Sequence, residues 1–190
     1  MRNIFLIASV ALSLWGLVLG LKSILRGYFK PQRMSRFLFF LIFVLLFLTL
    51  LAQGDKNSIY VAFIATISTF LIFVLSIKKG MGGASKFDFL ILAMALIALS
   101  AWVLSNNPFL GLVMTILAGI LAYIPTILKA IKFPETEDWF FYSVYSLASF
   151  FSLISIEEFT LAKVIFPVYL ILANSLLVTI IIVRLKKMKK

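Results

Sequence analysis

The chain has 190 residues, 63% of them hydrophobic, at a mean hydropathy of +1.14, a composition that excludes an ordinary soluble domain. Its net charge of +11 does not point to nucleic acid, because the cations sit at the ends of apolar runs, where they meet anionic head groups and set orientation. With no cysteine and no histidine there is no disulfide framework, thiolate metal site, cysteine nucleophile or ordinary proton shuttle, so neither metal nor cofactor is expected.

A hydrocarbon core about 30 Å thick needs roughly 17–25 apolar residues as helix, and seven stretches qualify. The first, at 4–25, follows Arg2 as a secretory signal would. Five basic residues follow directly after the first 20 residues and no small-x-small cleavage site precedes them, so it reads as a retained helix. Gly16 and Gly20 within it mark a close-packing seam. The second, 36–52, is short, but Phe37 to Ala52 carries no charge; its face of Phe39, Ile42, Phe43, Leu46 and Thr49 is nearly all apolar. The third, 58–77, presents a small-residue stripe of Ser58, Ala62, Ala65, Thr66 and Thr69.

The fourth stretch, 87–105, stands alone as a linker. The fifth, 109–131, holds a second seam at Gly111, Thr115 and Gly119. Pro125 frees a carbonyl near Leu121 and can bend that helix. The sixth, 138–156, places Tyr142, Tyr145, Ser146, Ser149 and Ser152 at three- and four-residue spacing, hence on one face. The bland account of serines and alanines, that they let helices approach, is preferred for Ser149, Ser152, Ala62 and Ala65.

The seventh, 160–184, contains Pro167, whose role is packing or gating, and Asn174, the one amide deep within any span. Such an amide faces a cavity or bonds a neighbouring helix, the latter typically worth about 0.6–2 kcal/mol. Ala162-Lys163-Val164 resembles the retinal-bearing segment of microbial rhodopsins. Lys163 lies only about 5 Å into its helix, however, and no mid-membrane carboxylate offers a counter-ion. Snorkelling, or pairing with Glu157 or Glu158, is the simpler account. Trp139 reads as an interfacial anchor, whereas Trp15 and Trp102 sit deeper, where a cavity is within reach.

Of the 18 Lys and Arg, 15 fall on the first, third and fifth connections and the tail: Lys22, Arg26, Lys30, Arg33, Arg36; Lys78, Lys79, Lys86; Lys129, Lys132; Arg184, Lys186, Lys187, Lys189, Lys190. Arg2, Lys56 and Lys163 lie on the other side. The positive-inside rule then sets the N-terminus outside and the C-terminus in the cytoplasm.

A shift of 103 residues lays the end of helix 1 on the end of helix 5 without a gap. Ile24-Leu25-Arg26 meets Ile127-Leu128-Lys129, Pro31 meets Pro134, Phe37 meets Phe140 and Gly16 meets Gly119. Helices 3 and 7 also end alike, in Ile77-Lys78-Lys79 and Leu185-Lys186-Lys187. Chance matching of apolar helices is the alternative, but the gapless basic-to-proline spacing favours duplication. The expected fold is an all-α polytopic membrane protein with a 3+1+3 parallel pseudo-repeat. Residues 1–79 form a first three-helix bundle, 80–105 the linker helix, and 106–190 a second bundle with a basic tail.

On these features the chain resembles the SWEET/PQ-loop superfamily, and within it uncharacterised bacterial seven-helix proteins of that type. The residues that carry the resemblance are Lys30-Pro31-Gln32, Ala122-Tyr123-Ile124-Pro125-Thr126 with Lys129, Pro134-Glu135, and Phe166-Pro167 with Asn174. The resemblance implies a bacterial inner-membrane protein that moves small solutes through a cavity between the triplets. Asn174 and its helix-3 counterpart Thr66 would touch the substrate, with Tyr145, Tyr142, Ser146, Tyr123 and Tyr169 around them. Pro125 and Pro167 would serve as hinges, and Pro31, Gln32, Pro134 and Glu135 as the loop motif.

Two functions are expected to compete. One is a uniporter of a small neutral polar solute, such as a sugar, by alternating access, with the polar lining supplied mainly by helices 5, 6 and 7. The absence of a deep carboxylate or histidine argues against proton coupling. The other is a non-transporting receptor or assembly protein on the same scaffold, favoured by the apolar helix 2 and the lack of proline in helices 2 and 6. Enzymatic activity is not expected. The expected partners are the lipid bilayer and a small-molecule solute, and self-association into a homo-oligomer is left open.

Overall fold

The computed structural model describes residues 2–188; Lys189 and Lys190 of the basic tail lie outside them. Seven α-helices make up nearly all of the described chain: α1 (Arg2–Leu25), α2 (Arg33–Ala52), α3 (Ser58–Lys79), α4 (Lys86–Ser105), α5 (Pro108–Lys132), α6 (Trp139–Ser155) and α7 (Leu161–Met188). A 3-10 turn, Pro134–Thr136, joins α5 to α6. Among the described residues six helices are long and apolar enough to cross a membrane. The exception, α6, has 17 residues, at the short end of what spans a bilayer. The protein is a helical protein of membrane type. Its outward side chains, such as Ile4, Phe63, Phe70, Leu104 and Leu172, are exposed apolar groups of the kind lipid covers.

Helix ends are set by local chemistry. Gly27, at φ 82, closes α1 in a Schellman motif: its N–H donates to Ile24 O and that of Tyr28 to Ser23 O. Carboxylates do the opposite job at N-termini. Asp55 accepts from the N–H groups of Asn57 and Ser58, Asp88 forms a capping box with Ser85, and Asp138 accepts from Phe140 and Phe141. Three of the seven carboxylates are thus committed to starting helices. The salt bridge expected for Lys163 is present, to Glu158 at 3.0 Å.

The connections meet in two groups. At the basic end, Lys30 N–H donates to Thr136 O, Arg33 N–H to Met81 O and Met81 N–H to Pro31 O. At the opposite end, Asn57 Nδ2 donates to Ser155 O and Gln53 Nε2 to Pro108 O. Successive helices therefore run up and down. Laterally they close a ring in the order α1, α3, α2, α5, α7, α6 and back to α1, while α4 packs outside against α5 and α2.

Glycines of both seams sit at close contacts between helices. A β-carbon on Gly16 would lie 2.8 Å from the Tyr145 ring, and one on Gly119 would lie 2.5 Å from Tyr169 Oη and 3.6 Å from Ile42. Trp15 and Trp102 do not line the interior. Trp15 is half-exposed and packs edge-on against Phe140, and Trp102 covers Gly111 from α4.

Candidate functional site

The structure adds a buried charged network at the basic end of the ring. In α2, positions 36, 39, 43 and 46 follow three- and four-residue steps, so the face that buries Phe39, Phe43 and Leu46 also turns Arg36 inward. Arg36 is 5% exposed. Its guanidinium lies 5.1 Å from the Phe29 ring centre, 5.7 Å from Phe39 and 5.9 Å from Tyr142. Arg36 Nη2 donates to Tyr142 Oη at 2.6 Å, and Tyr142 Oη donates in turn to Glu137 Oε2 at 2.8 Å. Glu137 Oε1 receives Lys129 Nζ at 2.7 Å.

The 3-10 turn after Pro134 brings Glu137 back over the end of α5. Lys129 reaches it from the α5 face that also buries Ala122 and Thr126. The network therefore joins α2, α5, α6 and the α5–α6 connection. Arg36 and Lys129, assigned from sequence to the lipid-facing charge belt, are instead inside the bundle, because α2 starts three residues earlier than expected and both side chains lie on buried helix faces.

Deeper in the ring lies a cavity of about 40 Å³. Its walls are Arg36, Phe39 and Phe43 from α2, Ala65, Ser68 and Thr69 from α3, Tyr123 from α5, Phe141, Tyr142 and Tyr145 from α6, and Leu170 and Asn174 from α7. Asn174 Nδ2 donates to Leu170 O at 2.8 Å and Oδ1 accepts from Tyr123 Oη at 3.3 Å. Three polar atoms of wall residues, Arg36 Nε, Ser68 Oγ and Tyr145 Oη, are buried and make no close hydrogen bond among the described residues, the last two lying beside each other. Polar groups in that state are rare in folded proteins.

Four of the expected binding residues, Asn174, Tyr123, Tyr142 and Tyr145, come together on this wall. Three do not. Thr66 spends its hydroxyl on Ala62 O at 2.8 Å and Phe43 O at 3.0 Å, tying α3 to α2, and its neighbours Ala65 and Thr69 face the cavity instead. Ser146 lies one residue round the helix from Tyr145 and opens onto an outer groove between α6 and α7, 2.9 Å from Ser175. Tyr169 packs its ring against Tyr123 and its hydroxyl against Gly119, beside an apolar groove between α5 and α7.

Pro125 lines a wide groove at the basic end, shared with Gln32 and the start of α4, and Pro167 is buried within α7. Pro31 accepts from Met81, Pro134 begins the 3-10 turn, and Glu135 borders a shallow surface pocket beside Asp138. The polar lining, expected mainly from α5, α6 and α7, is shared more evenly: those helices give Tyr123, Tyr142, Tyr145 and Asn174, and α2 and α3 give Arg36, Ser68 and Thr69. The signal for Arg36 was its phase, three residues before Phe39 and seven before Phe43, which places it on the buried stripe.

No protein-family model matches the chain, and comparisons with curated proteins and with solved structures find no match either.

Proposed function

We propose that the protein is a facilitative carrier of a small polar solute, working by alternating access through the central cavity of a SWEET-like 3+1+3 bundle. The observation that carries this reading is the cavity itself. It lies inside the ring, it is walled by helices of both triplets, and it collects Asn174, Tyr123, Tyr142, Tyr145 and Arg36. Polar side chains at membrane depth are costly facing lipid, and their convergence on one space is what a solute path requires.

Several contacts support a repeat relating α1–α3 to α5–α7. The packing of α1 on α6 has its counterpart in α5 on α2, α2 on α3 in α6 on α7, and α1 on α3 in α5 on α7. Gly16 faces Tyr145 while Gly119 faces Ile42, and both exchanges are shifts of 103 residues. Thr66 bonds Ala62 O as Asn174 bonds Leu170 O, each pair 108 residues from the other. Lys79 Nζ caps the end of α1 at Leu25 O, and Arg184 Nε does the same for α5 at Ile131 O. By the positive-inside rule the basic end faces the cytoplasm in a bacterial inner membrane.

The test is solute uptake into proteoliposomes. Asn174→Leu is expected to express and fold yet suppress flux, since it removes the amide and releases Tyr123. Flux equal to the parent protein's would remove Asn174 from the path. One observation favours a non-transporting receptor: at about 40 Å³ the cavity holds only about three water-sized sites, too few for a sugar in this closed arrangement. Absence of flux for every polar solute offered would favour that second reading.

A further inference from the structure

We propose that the central cavity binds the carboxylate of a small organic acid, with Arg36 as its anchor; this rests on the cavity being the solute site. The argument starts from charge. An arginine is protonated at any physiological pH and its five N–H groups can only donate. Arg36 is 5% exposed, yet no carboxylate among the described residues comes within 4.0 Å of it. Glu137, the one acid of the network, is already held by Lys129 and Tyr142, so two buried cations share a single anion.

The three aromatic rings around the guanidinium soften this imbalance without cancelling it. What the cavity offers leans the same way. Arg36 Nε stands without a partner and can only donate, while the Ser68 and Tyr145 hydroxyls lie beside each other on the same wall and between them have a proton left to give. Asn174 Oδ1, the acceptor that a sugar hydroxyl would want, is engaged by Tyr123. A planar group with two acceptor oxygens and a negative charge can accept from Arg36 and from the Ser68–Tyr145 hydroxyl pair, and it balances the cation. The remaining wall, Phe39, Phe43, Phe141 and Leu170, suits a short carbon stub, and the space limits it to one or two carbons in this arrangement. The neutral solute expected from sequence therefore gives way to an anionic one.

The experiment uses the full chain in lipid nanodiscs, with glycolate, its neutral isostere glycolamide, and nitrate as probes. Unfolding temperature and equilibrium binding are read together, since a ligand that binds only the folded form raises its apparent stability. Glycolate is expected to bind saturably, and glycolamide and nitrate at least tenfold more weakly. Arg36→Gln is expected to weaken glycolate at least tenfold. Ser68→Ala and Tyr145→Phe, which leave the charged network intact, should each weaken it severalfold and keep the test decisive if Arg36→Gln does not fold. Glycolamide binding as tightly as glycolate, or no glycolate binding, or unchanged affinity in the variants, overturns the proposal. Nitrate binding as tightly as glycolate overturns the assignment to an organic acid. Uptake separates the two readings: neutral-solute flux without glycolate binding leaves the carrier standing, and glycolate binding without any flux removes only the carrier.

Discussion

Replacing Glu137 by glutamine removes the one carboxylate from the buried network and keeps its size. The Glu137 side chain is 1% exposed and that of Lys129 8%, so water screens the pair little. The variant leaves Lys129 and Arg36 as buried cations joined only through neutral Tyr142 and an amide. Breaking one partner of such a pair costs about 3–5 kcal/mol, and because the amide oxygen can still accept one hydrogen bond we expect about 3 kcal/mol. The assay is reversible unfolding in mixed micelles followed by far-UV ellipticity, with Lys129→Gln and the double variant completing a cycle. Lys129→Gln should cost less, since Glu137 keeps Tyr142 and, through it, Arg36. The double variant should be more stable than the sum of the single losses predicts, by more than about 1.5 kcal/mol, within the range seen for groups in direct contact. Additive losses, or a cost below about 1 kcal/mol for Glu137→Gln, would refute the view that this network is an electrostatic unit.

The remaining predictions concern the frame around the site. A β-carbon on Gly80 would lie 2.5 Å from the backbone carbonyl oxygens of Pro31 and Ser76, which cannot rotate away as a side chain could. Gly80→Ala is expected to cost about 1–3 kcal/mol, the usual cost of overpacking, measured in the same unfolding assay. Gly83→Ala, with nothing within 4 Å, should be close to neutral. Asp88→Ala should cost about 1 kcal/mol through loss of the α4 capping box. Ser85→Ala should cost a similar amount, and the pair less than the sum, because the two side chains bond each other at 2.7 Å.

Much of the frame was legible because apolar length and loop chemistry are local. The charge-free run Phe37 to Ala52 could only be a helix in this composition. The acids at Asp88 and Asp138 sit where helix N-termini want them, and Gly16 and Gly119 mark the close contacts they now make with Tyr145 and Tyr169. Tyr142, Tyr145 and Asn174 were found by phase and depth, which fix a face without knowing its neighbour. Thr66, expected from the resemblance as the counterpart of Asn174, and Ser146, expected from phase, do not reach the cavity. Neither signal can tell whether the neighbour is a cavity, a carbonyl or another serine, and here it is Phe43 O for Thr66 and Ser175 for Ser146.

Arg36 and Lys129 were misplaced by a different route, and the cause is physical. Counting cations by connection treats every residue near a helix end as interfacial, because lone charges in lipid are expensive. That cost falls when a tertiary neighbour supplies the opposite charge, and Glu137 lies in a connection 101 residues beyond Arg36 in the chain. Nothing local announces such a pairing. The phase of Arg36 on the Phe39–Phe43 face did announce burial, and burial of a cation demands a partner. Glu137 answers for Lys129 and half answers for Arg36, through one hydroxyl. Arg36 lines the central cavity, so a solute that entered it as proposed would be selected first by sign and only then by shape.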